Sequence, residues 1–301
     1  MMNKHRVKFI RGASSESFPL VGSTGAKYHT PGQRLEPDPI AHAKRIATVD
    51  GLMVSTVFTD RLHRALTHFD VLAPYTKECA EALSDAVDKN ILRMACKASF
   101  ITNEAQCKDV GLTPVKGETF TNNIQLNKKD DEFKAIELYN ALLKARTEFK
   151  NKKVRGRPYV ILRPDQYAAL LTDTDVGKLV TMHKDVGGQG SVAEGTIGRL
   201  AGFDIYESIN LPDEDESAGL IDTPEFPDRA DAYRGDYSKV VGLIMMPDAV
   251  CTLKAMDITT ESKYMMEYQG DFIVAKYAMG HNILRPACAI SILKKTTATT
   301  R

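Results

Sequence analysis

Apolar residues recur at spacings of three and four between Pro74 and Phe100. Ala80, Leu83, Val87, Ile91, Met94 and Ala98 share one side, which predicts an amphipathic helix. Pro74 suits its first turn, and at 1.5 Å per residue the helix runs to about 40 Å. That is long for a globule and suits an element lying along a plate. A second helix is predicted over 131–150, with Leu138, Leu142, Ala145 and Phe149 on one face. Residues 159–162 form a short apolar strand, and Pro164 opens a brief helix through Leu171. Strands are expected at 203–209, 240–246 and 250–253. In 272–286, Phe272, Val274 and Lys276 fall on one side of an extended segment; Ile273, Ala275 and Tyr277 fall on the other. Gly280 and Asn282 read there as turn residues, and Pro286 biases Arg285 toward extended geometry before the apolar run 287–293. Helices and strands mix without regular βαβ alternation, which points to α+β.

Residues 17–50 carry little helix signal. Two extended arms, 18–28 and 40–49, flank the tip PGQRLEPDP, as in a long hairpin. It has few large apolar residues with which to bury itself. It therefore lies loosely on the surface or packs on something else, and another chain is the economical choice.

Composition adds bounds. The chain has 301 residues, 43% hydrophobic and 26% charged, with net charge +1. It can bury a sizeable core as one large domain or two ordinary ones, and no global charge argues for a dedicated nucleic-acid binder. No run approaches the ~20 apolar residues of a membrane helix, so a soluble protein is expected. Charge is local instead. Lys4, Arg6, Lys8 and Arg11 precede the first acid, Glu16, with no apolar core for a signal peptide; a flexible basic arm, or one that orders on a partner or on phosphates, is expected. Lys150, Lys152, Lys153, Arg155 and Arg157 follow the second helix. They read as a solvated helix end or a nucleic-acid contact. Residues 213–236 form a strongly acidic, solvated loop, and 183–195 a flexible Gly-rich one. Five cysteines without CxxC spacing read as free, buried thiols of a reducing cytosol.

Motifs that carry chemistry are few. GxSxG, GxxxxGK[ST] and HExxH are absent from the sequence. Gly188, Gly190 and Ala193 match a GxGxxA pattern, but no apolar strand leads into it. On a helix His63 and His68 would point about 140° apart. The acids of 213–216 lack the spacing of a calcium loop. His29, His42 and His281 have no sequence-adjacent acid or nucleophile. No catalytic, cofactor or metal site is expected. An enzyme with an unrecognised site, or a nucleic-acid-binding module using 150–157 and the basic arm, stand as alternatives to a structural role.

The segment AKYAMGH at 275–281, followed by Leu284, Arg285 and Pro286, resembles the C-terminal part of the major capsid protein of T-seven-like podophages. Val49, Asp50, Gly51 and Leu52, then Asp60, Ala65, His68, Asp70, Val71, Tyr75 and Thr76, are similar to the family's segment joining an extended loop to a spine helix. Phe18, Pro19, Gly22, Thr24, Ala26, Tyr28, Pro31 and Gly32 resemble the loop arm, and Gly202, Phe203, Ile205 and Pro212 a later strand. The resemblance covers most of 17–294.

It implies the HK97-type phage capsid fold, with an N-terminal arm (1–16), an extended loop (17–50), and a peripheral domain (51–125) carrying the spine helix (74–100). An axial domain (126–249), peripheral return strands (250–284) and an axial strand with C-terminal tail (285–301) follow. It also implies a virion shell protein, made and assembled in the host cytoplasm. Hexamers and pentamers would form an icosahedral shell of the T=7 type around packaged dsDNA, with portal and scaffolding proteins as partners. Phe18, Tyr28, Pro31, Gly32 and Arg34 in the loop, and Gly187, Gly188 and Gly190 near the capsomer axis, are then expected at subunit contacts. Lys4, Arg6, Lys8 and Arg11 are expected on scaffold, neighbouring subunits or DNA. The acidic stretch 213–236 has no counterpart in the resemblance, and is expected as a surface loop or a dock for an accessory or decoration protein.

Overall fold

A computed structural model describes residues 4–22, 24–34, 40, 42–66, 72–109, 112, 119–128, 131–154, 156–172 and 199–295. Its axis is the helix α2, Leu72–Phe100, flanked by the short helices α1, Arg61–Leu66, and α3, Glu104–Asp109. Leu83, Val87, Ile91, Met94 and Ala98 of the predicted stripe are buried. From Asn90 to Cys96 every residue is buried, because this half of the helix is enclosed rather than laid on one surface.

The enclosure comes from two sheets. The first has strand order β1-β10-β11-β4, with β1 at Arg6–Phe9, β4 at Met53–Asp60, β10 at Val250–Met265 and β11 at Gly270–Ile283. β1 runs parallel to β10, and the other pairs are antiparallel. At about 3.4 Å per residue, β10 and β11 extend roughly 50 Å, well past ordinary strand length. α2 packs on β11, β10 and β4. Ile273, Ala275, Tyr277 and Met279 are buried, while Phe272, Val274 and Lys276 on the other face are half-buried. The two faces predicted for this strand are therefore distinct.

The second sheet has order β5-β12-β9-β6-β8-β7. Its strands are β5, Asn123–Gln125; β6, Tyr159–Leu162; β7, Arg199–Leu200; β8, Phe203–Glu207; β9, Val240–Met245; and β12, Ala289–Leu293. All residues of β6, β9 and β12 are buried, which accounts for their unbroken apolar sequences. Helices α4, Ala135–Asn151, and α5, Pro164–Thr172, pack together beside this sheet, and α2 also reaches β9 and β12. A third, two-stranded sheet pairs β2, Ser15–Val21, with β3, His42–Thr48. A short helix α6, Ala230–Tyr233, lies within the acidic segment.

Three expectations need correction here. The chain does not turn at Gly280–Asn282; β11 continues to Ile283 and the turn comes at a 3-10 segment, Pro286–Cys288. Gly280 serves a crossing instead: a Cβ there would sit 1.9 Å from the Thr48 carbonyl oxygen. The second helix begins later than Asp131, because Asp131 accepts hydrogen bonds from the Lys128 amide and the Lys134 ammonium and closes a 3-10 turn before α4. The basic start is not free from Arg6 onward, since β1 is tied into the first sheet. All five cysteines are buried with free thiols.

Candidate assembly surfaces

The β2–β3 hairpin has two unlike halves. At its base, Ile10, Phe18, Leu20, Ala43 and Ala47 form a small cluster with Cys251, Leu253 and Leu284. The Lys8 ammonium lies 4.8 Å from the Phe18 ring centre and donates to Glu16 and to the Ser17 carbonyl. Phe18, expected at a subunit contact, is only 2% exposed. Its ring anchors the hairpin to its own chain. Past the last ladder pair, Val21 with His42, residues 24–34 are exposed throughout. Tyr28 is fully exposed, and Pro31, Gly32 and Arg34 are exposed around a turn in which Gln33 N donates to Thr30 O. Gly32 takes a positive φ of 86° in that turn.

The hairpin meets the body at 48–54. The Asp50 carboxylate accepts hydrogen bonds from Arg229 at 2.6 Å and from the Tyr233 hydroxyl at 2.5 Å. Burial raises the Asp50 pKa, and Arg229 and Tyr233 act against that rise. Behind them His281 is buried, sharing the Thr252 hydroxyl with His5 at 2.8 and 2.5 Å. Burial pushes the His281 pKa down to about 3, so this imidazole is neutral. A cleft of about 180 Å³ opens here, walled by Leu52, Met53, Val54, Phe226 and Met279, with Asn90 and Asp50 among its polar members. Gly51 lets the Phe226 ring lie against the chain; a Cβ at Gly51 would be 2.2 Å from it.

The acidic segment is not simply a solvated loop. Glu216 is buried and binds Arg93 of α2 through both oxygens, and the same guanidinium donates to Asn90, Thr223 and the Ile221 carbonyl. Arg163 pairs with Asp213. Glu225 pairs with Arg234, whose hydrogen bond holds the carboxyl down to about 2. These arginines take up the carboxylates that a hard cation would need. Asp222 and Asp231 stay exposed.

The basic residues divide in the same way. The Lys4 ammonium sits 3.4 Å from the Tyr206 ring centre and Arg6 pairs with Asp248, whereas Arg11 is exposed. Of the cluster after α4, Lys152 turns inward rather than outward and donates to Asn122 at 2.6 Å. Burial pushes its pKa down to about 8.

At the far end of the first sheet the apolar side chains face solvent. Phe58, Leu62, Leu66, Met266 and Tyr268 are exposed around the β10–β11 turn and α1, with Phe58 edge-on to Tyr268 at 6.3 Å. Nothing in the sequence marked this patch, because its members come from two segments, 58–66 and 266–268, far apart along the chain. Gly187, Gly188, Gly190, His68 and Arg155 lie outside the described residues. Among the described residues no group of histidine, cysteine or acidic side chains could hold a metal, and no helix is long and apolar enough to cross a membrane.

A long central helix, a hairpin whose distal half is exposed and an exposed apolar patch suit contact with other chains. Comparison with known proteins agrees. The chain is 29% identical to the major capsid protein of Escherichia phage T7, the match covering 97% of this chain and 86% of that protein. Among solved structures, the capsid of cyanophage P-SCSP1u superimposes with a TM-score of 0.79 at 27% identity, covering 99% of this chain and 88% of that one. The mature capsid of bacteriophage PhiM1 shares the fold at a TM-score of 0.71 and 16% identity, with coverage of 98% and 86%. The fold is thus the HK97-type phage capsid fold, in α+β form. A family model described as Gp10A-like, major capsid protein, matches residues 17–293, and the chain belongs to that family of virion shell proteins.

Proposed function

We propose that this major capsid protein closes its shell as hexamers and pentamers, in an icosahedral arrangement of the T=7 type, around packaged dsDNA. The observation that carries this reading is the contrast within the hairpin: a base bolted to its own chain and a distal half, 24–34, with no burial of its own. Such a segment finds its burial on a neighbouring copy. Individually modest contacts then become stable by repetition in a closed symmetric shell.

In this arrangement residues 51–125 with the return strands 250–284 are the peripheral domain, and residues 126–249 are the axial domain. Tyr28, Pro31, Gly32 and Arg34 lie on the neighbour. Assembly takes place in the host cytoplasm with scaffolding and portal proteins. The exposed Arg11, with the flanking cations, meets neighbouring subunits, scaffold or DNA phosphates without reading sequence, and the exposed acids of 213–236 form a surface loop or a dock for an accessory or decoration protein. Co-expression with the phage's scaffolding protein followed by electron microscopy tests the reading. Closed icosahedral particles are expected. Monomers or small closed oligomers alone, under conditions where the T7 protein assembles, would refute it.

A further inference from the structure

We propose that the cleft at the hairpin base is the seat for an aromatic side chain from another copy of this chain, and that the side chain is Tyr28. The proposal rests on the hairpin crossing to a neighbour, and adds where it lands. Three observations converge on it. Tyr28 is a fully exposed aromatic ring in a segment whose every described residue from 24 to 34 is exposed. Rigid aromatic anchors of this kind, seated in a pocket on the partner, dominate many protein interfaces.

The cleft has the matching size and chemistry. An apolar cavity of about 150 Å³ holds one benzene ring, and this cleft offers about 180 Å³. Leu52, Val54 and Phe226, all exposed in the isolated subunit, supply walls for a ring, while Asn90 and Asp50 place polar atoms within the same space for a hydroxyl. Phenylalanine or leucine would use only the walls; tyrosine uses both.

The chain's own Tyr28 does not fill the cleft: its ring is fully exposed and is not among the lining residues. The cleft adjoins the Ser15–Thr48 end of the hairpin ladder, whereas Tyr28 lies in sequence beyond the Val21–His42 end. The ladder between them spans roughly 20 Å. Occupancy by a second copy would also put an intersubunit contact at Asp50, Gly51 and Leu52, where the hairpin joins the body.

The test replaces Tyr28 by the photoreactive p-azidophenylalanine in assembled shells, followed by irradiation and peptide mapping. Crosslinks between chains that join residue 28 to 50–54 or 224–226 are expected. Shells of normal form whose crosslinks map elsewhere, or that give none, overturn the proposal. Wild-type protein supplies an independent readout. Nitration of Tyr28 by tetranitromethane should be severalfold slower in shells than in free subunits, and an equal rate overturns the proposal even if the azido variant does not assemble. Acetylation of Lys27 separates the two levels of inference. Lys27 protected in shells while Tyr28 crosslinks elsewhere removes only the seat; Lys27 and Tyr28 both unprotected removes the crossing hairpin as well.

Discussion

Arg93 and Glu216, 123 positions apart, form a two-pronged ion pair inside the protein, Nε to Oε2 at 2.6 Å and Nη2 to Oε1 at 2.7 Å. Their side chains are 2% and 5% exposed. The pair fastens the acidic segment to the C-terminal half of α2, one hydrogen bond from the cleft-lining Asn90. Removing one partner of such a pair strands the other charge in a place water cannot reach, at a cost of about 3–5 kcal/mol. Glu216→Ala should therefore lower subunit stability by that order in a guanidinium melt followed by circular dichroism. Arg93→Met combined with Glu216→Leu should lose clearly less, because no charge is left unpaired. A double variant as unstable as the single one would mean that the surrounding hydrogen bonds to Thr223 and Ile221, not the charge, hold the segment.

Gly280 tests the crossing of β11 and the hairpin base. Gly→Ala at an unstrained site commonly stabilises by about 0.4–1 kcal/mol, and Gly25, where an added methyl group would have nothing within 4 Å, is such a site. At Gly280 the methyl would meet the Thr48 carbonyl, whose oxygen is already held by Arg229 at 2.7 Å. Flanking bonds from Asp50 N to Met279 O and from Asn282 Nδ2 to Ile46 O prevent the two segments from parting cheaply. Gly280→Ala should cost more than about 4 kcal/mol or leave the protein insoluble, while Gly25→Ala should melt at or slightly above the wild-type temperature. Equal melting of both variants would show that the crossing is loose.

How much of this was legible in the sequence follows from the range of each interaction. The α2 stripe and the two faces of β11 are local periodicities, and Leu83, Val87, Ile91 and Ile273, Ala275, Tyr277 sit where spacing alone puts them. The exposed Tyr28 and Arg34 were readable as well, since a segment without apolar neighbours has nothing of its own to bury against. Gly280 and Asn282 misled because turn chemistry and a close crossing both select small or amide side chains, and only the distant Thr48 tells them apart. Phe18 misled for the opposite reason: its burial depends on Cys251, Leu253 and Leu284 at the other end of the chain. The cleft draws on α2, the junction of the hairpin with the body, the acidic segment and β11. No window of sequence contains it.

His281 gives the fold an acid-sensitive point. Its pKa is depressed to about 3 by burial, against an unperturbed value near 6.5. Between those two values the unfolded chain binds a proton that the folded chain refuses, so stability rises with pH across this window and is lost as pH falls below about 6.5. Asp50, whose pKa is raised by burial, works in the opposite sense at the acid end, which blunts the loss without reversing it. The Tm of purified subunits should fall by several degrees from pH 7 to pH 5. His281→Gln should be less stable than wild type at pH 7 but show a shallower fall. Parallel pH profiles would assign the acid sensitivity to other groups.

The exposed end of the first sheet yields the last prediction. Met266 is 77% and Tyr268 66% exposed at the β10–β11 turn, far from the buried clusters, with Leu62 and Leu66 of α1 exposed beside them. Most of the adjoining half of β10 is exposed too, so a charge placed there meets water in the free subunit. Met266→Asp should therefore change subunit stability by no more than about 0.5 kcal/mol. Within a shell the same carboxylate would have to be desolvated against a neighbour, and an unpaired buried charge is strongly unfavourable. Particle yield by sedimentation should drop sharply while the thermal melt of the free subunit stays at the wild-type value. Met266→Leu, which keeps the apolar surface, should assemble normally. Full particle yield from Met266→Asp would place this end of the sheet at the shell surface, in contact with solvent rather than with another copy.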